Sequence, residues 1–364
     1  MMNYSLSCLS SKHLKTPLFN DYCAFSRYTL SINKFFSCFS SSSVLNLQRS
    51  CIVSNSCFKK ILNSAILINN NKFINNAIDT VISGVFFQDM LSGDGGAVVS
   101  LNKNNNLEII KCYFIRCSAS NGGAIFCECN ETLIRMTCFE GCFASNIGQA
   151  IYSTSNQISL TLITTLMCSP SFKMGYMCAI HTYCPIVCFS NLNESYNYLS
   201  HHTGCFRIGS TTRTNVSFFQ LFECLSSLGA TLNFQHDPSE YCTLRYGNVI
   251  NCPVRTTYYL IWFDSGHEKG IFEYTSFINT TGAQLIHGHI TGGTPSFKYC
   301  VFDMSENCIA GCYYHSCGFQ QTYYQSLGYL LNTGNCFGNY QENTQRYIIT
   351  RNIKVFASVF IYMF

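Results

Sequence analysis

Short runs in which apolar and polar residues alternate recur along the chain, as at Leu107, Ile109 and later Phe114, or at Ile158, Leu160 and Leu162 with Ile163 out of step. A period of two puts successive side chains on opposite faces and predicts half-buried strands, not helices. Asn, Gly and Ser punctuate the runs. In Ser120-Asn121-Gly122-Gly123, glycine lets the chain turn through positive φ and approach its neighbour closely. The pattern predicts strands alternating with corners throughout.

The runs also repeat at long range. Gly95, Gly96, Ala97 and Val98 spell GGAV, and Gly122, Gly123, Ala124 and Ile125 spell GGAI one period later; Gly148, Gln149, Ala150 and Ile151 make a degenerate third copy. A second marker keeps the same beat of roughly 26 residues: Phe114 to Cys117 and Phe139 to Cys142 each place a cysteine three residues after an aromatic, behind Cys112 or Cys138. The aromatic phase continues through Leu221 to Cys224, Val249 to Cys252, Phe277 to Thr280 and Phe302 to Ser305. Between Cys142 and Leu221 it loosens, with Leu166 to Cys168 and Phe189 as anchors. A leucine-rich repeat would need an LxxLxL frame, and a propeller blade about 40 residues. A strand-rich period of about 25 to 28 residues fits one turn of an all-β, right-handed parallel β-helix. Ala97, Ala124 and Ala150 are then expected at equivalent positions on consecutive coils. Cys112 is expected beside Cys138, and Cys117 beside Cys142, mostly as packed thiols. The organisation expected is an irregular N-terminal segment, a cap or degenerate coils over 1–72, the β-helix over 73–335 and a C-terminal cap or final strand over 336–364.

GGA followed by Ile or Val, at Gly95 to Val98 and Gly122 to Ile125, together with the FxxN motif at Phe73 to Asn76, resembles the repeat hallmark of polymorphic outer-membrane-protein-like β-helices, found in chlamydiae and some protists. The resemblance implies a surface-associated adhesive or antigenic β-helix without enzyme activity. A host or neighbouring-cell protein or glycan is the kind of partner it implies. In this chain the second motif is more often FxxC.

Charged residues are 11% of the chain and the formal net charge is +4, so neither charge-driven disorder nor a basic footprint for nucleic acid is indicated. Twenty-four cysteines admit two accounts, a disulfide framework or stacked core thiols. Cys127 with Cys129, or Cys308, Cys312 and Cys317 near His315, are the nearest approach to zinc ligands, and no second pair at finger spacing supports them; no cofactor is expected. The N-terminus lacks the continuous apolar stretch of a signal peptide, and no segment reaches the length of a membrane span. Sequons at Asn3, Asn130, Asn193, Asn215 and Asn279 permit secretion. The parallel β-helix also carries polysaccharide lyases and hydrolases, as in the pectin lyase-like fold. For that alternative, the carboxylates Asp237 and Asp264 with His236 and His267 are the best catalytic candidates, since coil spacing would stack them. Tyr258, Tyr259 and Trp262, or Tyr313, Tyr314, Tyr323 and Tyr324, could form an aromatic binding stripe.

Overall fold

The computed structural model describes residues 79–321 apart from 102, 169–177, 200–203, 227–229, 237–240, 254–258, 264–268, 281–283, 289–294 and 305–311, and between 2 and 68 ten strands with the residues beside them. The chain is all-β, with no helix among these residues, and its parallel sheets form a solenoid. Two long parallel sheets, of 20 and 11 strands, run the length of the rod.

One coil shows how the sequence makes the shape. A first strand, Ile125–Glu128, turns at Cys129 and Asn130 into a long strand, Glu131–Glu140. The long strand bends at Met136, which has φ 50°, so its two halves face different sides. A second left-handed corner at Gly141 and a third at Gly148 return the chain to the next first strand, Ile151–Ser153. Gly122 and Gly123 are obligatory there: Gly122 has φ +57°, and a Cβ on Gly123 would lie 2.1 Å from the Gln149 carbonyl oxygen. Successive coils differ in length, since Asn106 pairs with Glu131, 25 residues on, and Gln157 with Ile186, 29 on. The additional residues of the longer coil fall between Leu166 and Ile180, outside the paired strands, whose register is kept. Strands Met2–Leu6, Tyr28–Ile32 and Cys51–Ser54 pair in parallel with one another, and the last pairs with Asp79–Ser83.

In-register stacking turns each inward position into a column. Ala97, Ala124 and Ala150 lie level in adjoining coils, all fully buried, as their place beside the paired residues Val98, Ile125 and Ile151 requires. Phe58, Phe87, Phe114 and Phe139 stack nearly parallel with centroids 4.7–5.3 Å apart. The same column ends in Phe277, Phe302 and Phe319, again stacked. Offset stacking at this spacing adds about 0.5–1.5 kcal/mol per pair beyond burial.

Three positions differ from the sequence expectation. Leu166 and Phe189 do not carry the aromatic phase. The residues level with Phe139 are Thr165 and then Glu194, followed by Leu221 and Val249. The marker disappears because polar side chains occupy the column. Cys112 is level with Thr137, whose hydroxyl it meets through its amide, because Tyr113 pairs with Cys138. The one-residue offset turns Cys138 to the outer face, as a period of two demands. Cys117 and Cys142 are neighbours in one inward column, which continues through Cys168, Asn197, Cys224 and Cys252. Burial pushes the Cys142, Cys168 and Cys252 thiols well above their ordinary range, so they pack as small apolar groups.

Candidate interaction surface

The corner inside each long strand fixes one outward residue per coil. Its left-handed φ ends one half-strand and starts the next, and its side chain projects from the edge of the rod. Met136, Leu162, Asn191, Phe218, Tyr246, Tyr274 and Tyr299 all occupy this corner at φ 50–57°. Non-glycine residues are uncommon in this region, and bulky ones more so, so stacking has to offset a local backbone cost. The last four aromatics supply it. Phe218 and Tyr246 lie 5.0 Å apart, Tyr246 and Tyr274 5.2 Å, and Tyr274 and Tyr299 5.0 Å, each pair within 13° of parallel. His315 closes the row edge-on against Tyr299.

Beside this row runs a row of charge. Arg245 Nε lies 2.8 Å from Glu273 Oε2, and Lys298 Nζ lies 3.5 Å from Glu273 Oε1. The residues preceding Tyr246, Tyr274 and Tyr299 are thus positive, negative and positive in turn. Tyr246, Tyr274 and Tyr299 remain 36–44% exposed. Their faces cover one another, so solvent meets ring edges and hydroxyls. Polar rows mark other corners. Asn106, Asn130 and Asn156 pass side-chain amide bonds upward from Asp79, and Asn121 and Asn146 do so from Asp94. A recess of about 320 Å³, open to solvent, lies at another corner between Tyr198, Glu223, Leu225, Asn251, Pro253 and Asn279.

The candidates for chemistry fall elsewhere or are enclosed. Asp237, Asp264 and His267 lie outside the described residues. The backbone of His236 ends a first strand, level with Thr211. Of the proposed aromatic stripe, Tyr258, Tyr323 and Tyr324 are outside the described residues, Tyr313 is the most exposed, and Tyr314 stacks on Phe297 at the end of the core. Tyr259 and Trp262 meet edge to face. Cys127 and Cys129 sit inside the rod among hydroxyls: Cys129 Sγ bonds Ser100 Oγ, and Thr132 Oγ1 bonds both Cys127 Sγ and Ser155 Oγ. Their mutual hydrogen bond holds the Cys129 thiol up while lowering that of Cys127. Cys312 and Cys317 are half-buried, and Cys308 is outside the described residues. Among the described residues, no three histidine, cysteine or carboxylate side chains are grouped to hold a metal ion. Of the sequons, Asn130 and Asn279 are exposed and Asn193 is buried.

Sequence reasoning missed two features. One is the corner row, because Phe218, Tyr246, Tyr274 and Tyr299 belong to neither of the two repeat markers. Their steps of 28, 28 and 25 residues match the coil beat and could have revealed it. The other is Glu194, fully buried, with Asn197 Nδ2 3.3 Å from its Oε2 and 2.9 Å from Thr165 Oγ1. Burial holds its carboxyl far above the usual range, so it is a neutral acid inside the core. Comparisons of the chain with protein-family models, with curated proteins and with solved structures returned no match.

Proposed function

We propose that this β-solenoid is a non-enzymatic adhesion or interaction protein of a cell surface or its exterior, and that the row Phe218, Tyr246, Tyr274 and Tyr299 contacts its partner. The row carries the reading. Tyrosines are rigid, amphipathic and enriched in protein contact surfaces, and here they stand in line beside alternating charge. Covered ring faces leave little room for a sugar to stack, whereas hydroxyl edges and the charges Arg245, Glu273 and Lys298 suit a protein. The GGA[IV] resemblance points the same way.

Two measurements test this. Intact cells expressing the chain, treated with a membrane-impermeant amine-reactive biotin, should yield it in the labelled fraction; recovery from cytosol alone ends the surface reading. Beads coated with the protein should adhere to neighbouring cells, and the Tyr246→Ser, Tyr274→Ser, Tyr299→Ser variant should lose at least about tenfold in adhesion, the equivalent of 1.4 kcal/mol. Equal adhesion by the variant removes the row from the contact.

A further inference from the structure

The row of corner aromatics changes chemistry at its last three members. Phe218 is followed by Tyr246, Tyr274 and Tyr299, so two adjoining pairs of rungs lay phenol on phenol. The centroids are 5.2 Å apart between Tyr246 and Tyr274 and 5.0 Å between Tyr274 and Tyr299, with planes 12° and 13° from parallel. Other rungs stack phenylalanine on phenylalanine or on tyrosine, as at Phe58 with Phe87 and Phe126 with Tyr152. A phenylalanine at these corners would stack as well, so packing alone does not ask for three hydroxyls. These phenols are also open to reagents in solution, since Tyr246, Tyr274 and Tyr299 are 38, 36 and 44% exposed.

This arrangement suits one reaction, the oxidative coupling of two phenols. A tyrosine that loses one electron and its hydroxyl proton becomes a neutral radical, with the unpaired electron shared between the oxygen and the carbons beside the hydroxyl. Two such radicals join through those carbons. Coupling within one chain therefore depends on a second phenol held within reach, which is what fixed proximity supplies. Here the backbone fixes it. Arg245 pairs with Glu273 and Gly247 with Thr275 on either side of the first tyrosine pair. Glu273 pairs with Lys298 and Ser276 with Val301 on either side of the second. Each tyrosine is thus anchored one rung, about 4.8 Å, from the next, and the hydroxyl edges need only swing together at the surface. Tyr246 and Tyr299 are two rungs apart, about 9.6 Å, and do not reach each other. Tyr274 is common to both pairs.

We propose that Tyr274 is a site of oxidative cross-linking, joined ring to ring with Tyr246 or Tyr299 by a haem peroxidase that uses hydrogen peroxide. The two phenols together give up two electrons and two protons. One carbon–carbon bond forms between the rings, each coupled ring moves its displaced hydrogen to the oxygen, and the peroxide O–O bond breaks to yield two waters. The product ties two adjoining coils covalently. Because a coil touches only its neighbours, an end of a solenoid opens coil by coil, and such a tie opposes that opening. The proposal rests on the geometry and exposure of the row and does not require the row to contact a partner.

The full chain, treated in dilute solution with a haem peroxidase and hydrogen peroxide, should give a cross-linked product that still runs as a single chain on a denaturing gel. Cleavage after Arg245, Lys269 and Lys298 places the three tyrosines on three different peptides. Mass spectrometry of that single-chain band should find the Tyr274 peptide joined to the Tyr246 or the Tyr299 peptide, lighter by two hydrogens than their sum. Tyr274→Phe keeps a stacking ring at the corner and should abolish both joined species. Tyr246→Phe should leave only the joint between Tyr274 and Tyr299. Neither joined peptide in the natural chain, a Tyr274 joint found only between two chains, or Tyr246 joined to Tyr299 in the Tyr274→Phe chain overturns the proposal. Each of those results leaves the adhesion reading standing, and the adhesion assay can fail without touching this chemistry.

Discussion

The coils of Phe87 to Phe139 and those of Thr165 and Glu194 share one backbone and differ in what fills the same core column. In the first, identical rings stack at about 5 Å, and the column is apolar and fully buried. In the second, a hydroxyl, a carboxyl and the amide of Asn197 bond to one another in equal seclusion. Pairing is uninterrupted across the change, from Phe139 to Thr165 and on to Glu194 and Leu221. Backbone hydrogen bonds therefore hold the coil in register whatever occupies the core. Side-chain identity decides how much each coil contributes to stability and how it responds to pH.

Truncation should separate the two regions most sharply. Phe114→Ala should cost about 3–5 kcal/mol, as removal of a fully buried ring does, and lower the urea midpoint followed by circular dichroism. Thr165→Ala, level with the same column, should cost only about 1 kcal/mol, the loss of one hydrogen bond from Asn197. Equal losses would mean that the polar coil is as tightly packed as the ring ladder.

The pH response should be smaller and peculiar to the second region. Glu194 keeps its proton in the fold because burial raises its pKa, while in the unfolded chain it titrates near 4.5. Stability attributable to it is complete below pH 4.5 and is lost as pH rises toward the folded value. Glu194→Gln should raise the melting temperature at pH 8 and leave it unchanged at pH 4. His181 has the opposite slope. Burial and the nearby Arg207 charge lower its pKa from 6.5 to about 3, so its share of stability is present above pH 6.5 and lost on acidification. His181→Phe should flatten the acid side of the profile, and melting curves from pH 4 to 8 would check both.

The smallest effect should come from the outside of the first region. Asn130 accepts a bond from Asn156 and donates one to Asn106, but Asn130 and Asn156 are exposed and Asn106 is half-buried, so water can replace these bonds. Asn130→Ala should shift the urea midpoint by no more than about 1 kcal/mol. A larger loss would make the outer amide row a part of the framework.

The fold was legible in the sequence where one chemistry recurs in one place. GGAV and GGAI mark a corner whose first position takes glycine at positive φ in all three copies, and Phe114 and Phe139 mark a column that rings fill best. These signals are physical requirements repeated at the coil period. Where the column accepts Thr165 or Glu194, the requirement is met by hydrogen bonding, which leaves no common letter to follow, and Leu166 and Phe189 were mistaken for it. The offset of Cys138 from Cys112 was hidden for a related reason, since two cysteines near one phase look alike on either face. The tyrosine row was missed because a left-handed corner leaves no fixed residue type: Met136, Leu162 and Asn191 occupy it as well.

That corner has a consequence for how such a molecule can lengthen. Each corner residue sits on a rung whose height, about 4.8 Å, is set by backbone geometry alone. Duplicating the coil that carries Tyr274 would insert one more tyrosine into the row at the same interval, with its neighbouring charge, and would ask nothing new of the core, because each coil touches only those adjoining it. The reach of the row is thus countable in units of sequence, and a gene can change it one coil at a time.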